Sequence, residues 1–128
     1  MTPVPIGIPK WFPKEPCVYI LASKPNGVLY IGASSAPWDR VNEHKQGLQR
    51  GFTQKYGVKT LVYIEFHKSM HEAIMRETRL KKWKRGWKVR LIEEMNPEWK
   101  DLWLPSGEIL MFGPGGQHVP DANVGEFR

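Results

Sequence analysis

The sequence predicts a small α+β domain in which a three-stranded antiparallel sheet is flanked by helices, in the order β-β-α-β-α-α. Two short apolar runs rich in β-favouring residues surround Asn26-Gly27, which is a strong signal for a hairpin. A third such run covers residues 61–66, and apolar side chains recur at helical spacing before and after it. The length of 128 residues fits one domain with a modest core.

Prolines set the limits of this domain. Five prolines among the first 16 residues predict an extended N-terminal arm (1–15), because proline fixes φ and lacks a backbone donor. Residues 104–128 hold three prolines and five glycines and predict an irregular tail, in which only residues 109–112 are apolar enough to dock. We therefore expect the compact domain at 16–103.

The hairpin is the first element of that domain. Its predicted strands are residues 18–22 and 28–32, and both are apolar on both faces, so we expect the hairpin to be covered on two sides. Cys17 is the only cysteine and starts the first apolar run. It cannot form an internal disulfide, so we expect a buried thiol and a reducing compartment.

Capping residues predict where two helices begin. The first helix begins near Ala36, with Ser35 as its N-cap and Pro37 in its first turn. Ser69 caps the second helix, and Glu72 takes the capping-box position that follows it.

The second helix should present an apolar stripe to the sheet. The stripe comprises Met70, Ala73, Ile74, Leu80 and Trp83. We expect Gly86 to interrupt this helix and a further helix to end at Asn96-Pro97, because the residue before a proline is driven out of the α region.

Positive charge is concentrated in one segment. The chain has a net charge of +6 and a sequence pI of about 9.6, which fits either polyanion binding or simply a basic protein. Residues 76–90 hold eight lysines and arginines and a single acid, whereas solvated helix faces usually mix signs. The candidate phosphate contacts in this run are Lys81, Lys82, Lys84 and Arg85. Trp83 and Trp87 could stack on single-stranded bases or belong to the core.

Membrane and secretion signals are not found in the sequence. No stretch approaches the roughly 18 apolar residues of a membrane span. The N-terminus, with its prolines and lysines, has no continuous apolar region of the kind that a signal peptide needs. We therefore expect no membrane partner and a cytoplasmic location.

Glu77 is the first candidate for chemistry. It lies four residues after Ala73 and three before Leu80, so helical spacing places it on the apolar stripe. An ionised carboxylate there is costly unless it is paired or binds a metal. The alternatives are a structural salt bridge with a nearby arginine and a ligand for Mg²⁺, which takes few protein ligands.

Arg40 and His44 share one face of the first predicted helix, because they are four residues apart. An arginine fork can hold a phosphate and neutralise the charge that develops in phosphoryl transfer. Histidine can move a proton near neutral pH. The alternative is a surface arginine beside a partly buried histidine.

Tyr19 and Tyr30 lie on the paired hairpin strands. Strand tyrosines are most often core or cross-strand contacts, and a phenol with an ordinary pKa near 10 is a poor base. Nearby cations or a metal would favour the phenolate. The tyrosines therefore gain a chemical role only if Arg40, His44 and Glu77 lie beside them.

In this order and at these spacings, the residues resemble the GIY-YIG endonuclease family, and most closely its small stand-alone bacterial members. The resemblance covers about residues 17–103 and leaves out the arm and the tail. Its segments are 17–23, 29–32, 40–44, 52–57, 76–83 and 96–99. In the first motif Cys17 and Val18 replace Gly and Ile, but Tyr19, which carries the chemistry, is kept.

The resemblance implies a metal-dependent DNA endonuclease with a division of labour among five residues. Glu77 would ligate one divalent metal, Mg²⁺ or Mn²⁺. Tyr19 would act as general base or position the attacking water, and Tyr30 and His44 would orient that phenol. Arg40 would bind the scissile phosphate and stabilise its extra charge.

Two further residues and the substrate follow from the resemblance with less detail. Lys55 would contact substrate phosphate, and Asn96 would support the network on the metal side of the site. The basic, tryptophan-rich run favours single-stranded or branched DNA as the substrate, cut in repair or recombination. Without an attached recognition domain in 128 residues, strict sequence specificity is not expected.

Two other classes of function stay open. One is a nucleic-acid-binding module that retains the nuclease fold without chemistry; the completeness of the active set favours the enzyme over it. The other is a basic protein that docks on an acidic protein partner, which predicts weaker salt dependence than DNA binding.

Overall fold

The hairpin around Asn26-Gly27 supplies two strands of the central sheet. The computed structural model of the chain describes residues 5–8, 15–46, 51, 55–104 and 109–112. In chain order its elements are β1 (Pro5–Ile8), β2 (Cys17–Ala22), β3 (Leu29–Ser34), α1 (Pro37–Lys45), β4 (Thr60–Phe66), α2 (Met70–Lys81), α3 (Arg85–Met95) and β5 (Ile109–Phe112). Between β1 and β5 this order confirms the predicted α+β class.

Strand β2 lies at the centre of a three-stranded antiparallel sheet with the order β3-β2-β4. The loop between β2 and β3 is closed by a hydrogen bond from the Ser23 backbone N–H to the Val28 carbonyl, at 3.0 Å. Asn26 takes a φ of 59°, in the left-handed region that asparagine tolerates better than most residues. The Asn26-Gly27 signal therefore marks the turn correctly.

Two hydrophobic clusters cover the sheet, as the apolar strands predicted. The tyrosine face is the side on which β2 presents Cys17, Tyr19 and Leu21, and α1 packs against it. The Glu65 face is the opposite side, on which β2 presents Val18, Ile20 and Ala22, and α2 and α3 pack against it. Glu65 belongs to that side because it pairs in register with Val18. Cys17 is fully buried, as expected.

The helix starts agree with the predictions to within one residue. Helix α1 has Pro37 in its first turn, but its N-cap is Ala36 and not Ser35. The reason is that the Ser34 hydroxyl accepts the hydrogen bond from the Ala36 backbone N–H, at 2.9 Å. The Ser69 hydroxyl caps α2 as predicted and accepts from the Glu72 backbone N–H at 3.2 Å.

The buried stripe of α2 differs from the prediction. Ile74 is 49% exposed and is not part of the core. Arg76 takes a place on the stripe instead, together with Ala73 and Leu80. The expectation for Ile74 is wrong because the buried carboxylate of Glu65 holds the Arg76 side chain on the side that faces the sheet.

The break between the last two helices also differs from the prediction. Helix α2 ends at Lys81 with Lys82 as its C-cap, and α3 begins at Arg85 with Lys84 as its N-cap. Gly86 therefore lies in the first turn of α3 and does not interrupt a helix. The predicted end of the last helix at Asn96-Pro97 is confirmed, since Asn96 is the C-cap of α3.

Strands β1 and β5 form a separate two-stranded antiparallel sheet. Pro5 pairs with Phe112 and Ile8 pairs with Ile109. The one stretch of the tail expected to dock is thus paired with the arm, and there it is a strand and not irregular. Most of the remaining arm and tail lies outside the described residues, and the boundaries 1–15, 16–103 and 104–128 stay predictions.

Candidate active site

The Tyr19 side chain crosses the tyrosine face toward β3. Tyr19 pairs in register with Gly32. A Cβ atom added to Gly32 would lie 2.5 Å from the Tyr19 hydroxyl oxygen and 2.6 Å from Cζ. Any side chain at position 32 would therefore displace the phenol. Tyr19, from the first motif, can therefore occupy this position only because the second motif has a glycine at position 32.

Three rings gather at this point. The ring centroids of Tyr19 and Tyr30 are 6.3 Å apart, those of Tyr19 and His44 are 5.9 Å apart, and those of Tyr30 and His44 are 5.3 Å apart. The Tyr19 hydroxyl lies 3.4 Å from Nε2 of His44. The hairpin strands and α1 thus bring together all three aromatic residues predicted for the site.

Burial keeps this ring cluster uncharged. Burial raises the pKa of Tyr19 well above its ordinary value, and the neighbouring Tyr30 adds to the rise, whereas the positive charge of Arg40 opposes it. Burial also lowers the pKa of His44, and Arg40 lowers it further. At neutral pH the site therefore holds a neutral phenol beside a neutral imidazole, whose Nε2 can accept the phenol proton in the appropriate tautomer.

Arg40 stands at the exposed edge of the ring cluster. Its side chain is 45% exposed, and one guanidinium nitrogen lies 3.7 Å from the Glu43 carboxylate on the same helix. Exposed ion pairs of this kind contribute about 0–1 kcal/mol. A phosphate can therefore replace Glu43 as the partner of Arg40 at little cost.

Glu77, the residue predicted to ligate a metal, lies on α2. Its side chain is 20% exposed, and its Oε2 atom lies 3.0 Å from the Lys81 ammonium one helical turn later. The charge of Glu77 raises the pKa of Tyr19, so the carboxylate lies within electrostatic reach of the phenol. The salt bridge to an arginine that the sequence left open is thus a salt bridge to a lysine.

Comparison with known proteins identifies the fold family. The family model described as the GIY-YIG catalytic domain matches residues 15–90. The chain belongs to the GIY-YIG family. It is 37% identical over 75 residues to a UPF0213 protein of Clostridium perfringens, an alignment that covers 59% of this chain and 80% of the relative. It is 35% identical over 77 residues to a UPF0213 protein of Staphylococcus aureus, covering 60% and 93%. No solved structure matches the chain.

Membership of the GIY-YIG family points to an endonuclease-type domain with DNA as its substrate class. The two motifs that give the family its name correspond here to residues 17–19 on β2 and residues 30–32 on β3. The structure places these motifs side by side, and their tyrosines meet His44. Within the described residues, no helix is both long enough and apolar enough to cross a membrane.

Four of the predicted substrate contacts of this GIY-YIG domain are exposed lysines. They are Lys55, Lys81, Lys82 and Lys84. The Lys55 ammonium lies 5.4 Å from the centroid of the Tyr56 ring, and the Lys81 ammonium pairs with Glu77. Arg85 is exposed too, but its Nη2 atom donates to the carbonyls of Asn26 and Gly27, at 2.8 and 2.6 Å. Arg85 therefore ties α3 to the hairpin loop.

Asn96 is buried at the end of α3. Its side chain is only 2% exposed. Its amide nitrogen donates to the carbonyls of Val62 and Lys100, at 3.1 and 2.8 Å, and its oxygen accepts from the Lys100 backbone N–H at 3.0 Å. Asn96 therefore fastens the end of α3 to β4 and to the chain that follows, and its predicted role near substrate or metal stays a prediction.

A buried polar cluster on the Glu65 face was not predicted from the sequence. The Glu65 carboxylate is fully buried and accepts from Arg76 Nε and Nη2, at 2.9 and 3.2 Å. The Tyr63 hydroxyl donates to it at 2.5 Å, and Nε2 of His67 lies 2.6 Å away. An acid inside the apolar strand TLVYIEF was the available signal, because a buried carboxylate requires partners of this kind.

Trp83, in the short segment between α2 and α3, contacts Trp87, which lies near the start of α3. Their ring centroids are 5.9 Å apart with an interplanar angle of 81°, an edge-to-face arrangement favoured by aromatic pairs. The Arg76 guanidinium lies 5.4 Å from the Trp83 centroid. Both rings are half-buried, and Trp83 packs against the Glu65-face core, which is the core alternative considered for it.

Proposed function

We propose that this GIY-YIG domain is a metal-dependent endonuclease that hydrolyses DNA phosphodiester bonds. The observation that carries the proposal is the grouping of Tyr19, Tyr30 and His44, with ring centroids 5.3 to 6.3 Å apart. Arg40 and Glu77 both influence the pKa of Tyr19. The Tyr19 phenol can thus serve as a base, with His44 as its proton acceptor. Arg40 offers a cation for the phosphate, and Glu77 offers a carboxylate.

In this proposal Tyr19 positions the attacking water and takes its proton. Burial keeps the phenol protonated in the absence of substrate, so its own proton has to leave as the water proton arrives. Neutral His44 accepts that proton at Nε2, 3.4 Å away. Tyr30 packs against both rings and fixes their orientation. The water oxygen then bonds to phosphorus as the bond to the leaving oxygen breaks.

Arg40 binds the scissile phosphate in this proposal. Its guanidinium is exposed and only weakly paired with Glu43, and it lies near enough to Tyr19 to lower the pKa of the phenol. It therefore does two things at once: it neutralises the charge on the phosphate, and it favours the phenolate character that the base needs.

The donor chemistry around Glu77 fits Mg²⁺ or Mn²⁺. Among the described residues, no three histidine, cysteine, aspartate or glutamate side chains cluster into a metal cage. A single, partly exposed carboxylate suits ions that keep several waters and bind together with substrate phosphate. When bound, the ion would polarise the phosphate and neutralise the leaving oxygen. Lys81 would have to release Glu77 first.

We propose single-stranded or branched DNA as the preferred substrate, in cytoplasmic repair or recombination. The support is the family's DNA substrate class and the exposed lysines at the junction of α2 and α3. Isolated phosphate contacts carry no sequence information. A flexible or distorted strand also enters a small site more easily than an intact duplex does.

Cleavage of labelled DNA tests the proposal. Single-stranded, branched and blunt duplex substrates are incubated with Mg²⁺ or Mn²⁺, with EDTA controls, for the wild type and for Glu77→Gln. We expect metal-dependent products that disappear with EDTA and in Glu77→Gln, while thermal unfolding and DNA binding are kept. The matched control is Glu94→Gln, an exposed carboxylate on α3, which should cut like the wild type.

Other results of this experiment reject parts of the proposal. Full activity in Glu77→Gln would mean that the metal ligand is assigned wrongly. Equal cutting of blunt duplex would remove the substrate preference. Binding without products on any substrate would favour the second candidate, a DNA-binding module without chemistry; the salt bridge that already neutralises Glu77 speaks for that candidate.

A further inference from the structure

A small cavity lies beside the ring cluster, along the outer strand of the sheet. Its volume is about 320 Å³, and it is lined by Leu29, Tyr30, Ile31, Lys81 and Lys88. Strand β3 is an outer strand in the order β3-β2-β4, so the cavity runs along a strand edge, and α2 and α3 each contribute one lysine to its lining. Ligand pockets usually measure about 300–1,000 Å³, so this one suits a single small unit.

The chemistry of the lining favours an anion with an apolar or aromatic portion. Two ammonium groups are the ionisable cations in the lining, and none of the lining residues is acidic. The Lys88 ammonium is held by the Lys81 carbonyl, at 3.4 Å. Burial lowers the pKa of Lys88, and Arg85 lowers it further, so an anionic ligand would restore the environment that this ammonium lacks.

A second cavity on α3 shows that this lining is not a general property of the surface. It has nearly the same volume, about 330 Å³, and is lined by Gly86, Val89, Arg90, Glu93 and Glu94. Two carboxylates beside one arginine make it unsuitable for a phosphate. The pair of lysines, Lys81 from α2 and Lys88 from α3, thus distinguishes the cavity beside Tyr30 from this second one.

Two lining residues connect the cavity to the candidate active site. Tyr30 belongs to the ring cluster, with its centroid 5.3 Å from that of His44. Lys81 pairs with Glu77 at 3.0 Å. A DNA strand whose scissile phosphate lies between Arg40 and Glu77 would therefore place a neighbouring nucleotide at this cavity.

We propose that the cavity is a nucleotide subsite that takes the deoxynucleotide next to the scissile phosphate. Its phosphate lies between Lys81 and Lys88, and its sugar and base lie against the Leu29–Ile31 edge of β3. The subsite rests on the proposed function only for its position relative to the cut. Binding of a free nucleotide does not depend on cleavage.

Titration of a mononucleotide into the isotopically labelled full chain tests the subsite directly. We expect dAMP and dTMP to shift the amide resonances of residues 29–31, 81 and 88 in the wild type, and to lose these shifts in Lys88→Gln. The matched control is Lys68→Gln, an exposed lysine between β4 and α2. Shifts elsewhere, or equal shifts in Lys88→Gln, would overturn the proposal. Equal shifts with inorganic phosphate alone would reduce the site to a phosphate site and overturn the nucleotide assignment.

Salt dependence of single-stranded DNA binding gives a second, independent readout. Loss of one phosphate contact reduces the slope of log K against log salt concentration by about 0.7 for single strands. We expect this reduction in Lys88→Gln and no change in Lys68→Gln; an unchanged slope in Lys88→Gln would contradict the subsite. Cleavage without nucleotide shifts would reject the subsite alone, whereas shifts without cleavage would reject the nuclease proposal alone.

Discussion

The two faces of the sheet carry similar side chains in opposite electrostatic states. On the Glu65 face, a tyrosine, a histidine and an arginine converge on one fully buried carboxylate at 2.5 to 3.2 Å. On the tyrosine face, Tyr19 and His44 meet at 3.4 Å as neutral groups. Arg40 and Glu77, which both influence the pKa of Tyr19, form ion pairs with Glu43 and Lys81 of their own helices.

The difference teaches which cluster is structural and which can act on a ligand. The carboxylate of Glu65 has lost its water and gained three side-chain partners, so any change of partner leaves a buried charge uncompensated. Arg40 and Glu77 stay partly exposed, and their ion pairs contribute little. A phosphate or a metal can replace those pairs without disturbing the core.

Removal of Arg76 should give the largest effect on stability. In Arg76→Met the free energy of unfolding should fall by about 3–5 kcal/mol, because Glu65 is left buried without its cation. Urea unfolding at pH 7 measures this. Cleavage per folded molecule should be unchanged, because neither Arg76 nor the residues that contact Glu65 belong to the proposed active site.

The double variant Arg76→Met with Glu65→Leu serves as the control. An apolar pair can replace a buried ion pair with little cost, so the double variant should recover the part of the lost stability that is not offset by the buried Tyr63 hydroxyl, which loses its acceptor. If the double variant stays as unstable as Arg76→Met, then packing of Arg76 against Trp83, and not the buried charge, holds this face together.

On the tyrosine face, substitution of Gly32 should reduce both cleavage and stability. In Gly32→Ala the new methyl group would displace the Tyr19 phenol. A misplacement of about 1 Å can cost about 100-fold in rate, and overpacking costs about 1–3 kcal/mol of stability. Single-turnover cleavage and urea unfolding measure the two effects.

Gly86→Ala is the matched control for this substitution. A Cβ atom at Gly86 meets nothing within 4 Å, and Gly86 lies in the first turn of α3. Alanine there should leave cleavage unchanged and stabilise the protein by up to about 1 kcal/mol. Equal loss of cleavage in both variants would mean that the position of Tyr19 over Gly32 has no special role.

Local signals in the sequence predicted the elements, and long-range partners decided the rest. Asn26-Gly27 and the Ser69 cap act within a few residues, so their turn and helix start are confirmed. The buried side of α2 depends on Glu65, a residue of another element, and the apolar pattern therefore chose Ile74 over Arg76. Local propensity also cannot show whether a glycine such as Gly86 falls inside a helix.

The candidate site divides in the same way. Helical spacing put Arg40 and His44 on one face. Their proximity to Tyr19 and Tyr30 depends on how the hairpin packs against α1, which local spacing does not show, so only the family resemblance connected the four residues. The same holds for the register that pairs Tyr19 with Gly32. The lysine partner of Glu77 was within reach of a spacing argument, since Glu77 and Lys81 are four residues apart. The acid in the apolar strand β4 was the overlooked signal for the Glu65 cluster.

The smallest expected effect is a difference in the pH range over which each face loses its contribution to the free energy of unfolding. Burial lowers the pKa of His44 below its ordinary 6.5, so the unfolded chain binds this proton first, and stability falls as pH drops from 6.5 to the lowered value. Burial opposes ionisation of Glu65, but hydrogen bonds from His67 and Arg76 hold its pKa below 4.5. Its contribution is therefore present above pH 4.5 and is lost as pH falls through the folded-state value.

Urea unfolding from pH 8 to pH 3 resolves these two steps by difference. Subtracting the profile of His44→Gln from that of the wild type should leave only the step that starts near the ordinary pKa of 6.5. Subtracting the profile of the Arg76→Met, Glu65→Leu variant should leave only the more acidic step. A single common step in both differences would mean that the two faces titrate as one unit. The contrast between a paired structural cluster and a neutral reactive one would then fail, because protonation on one face would be felt on the other.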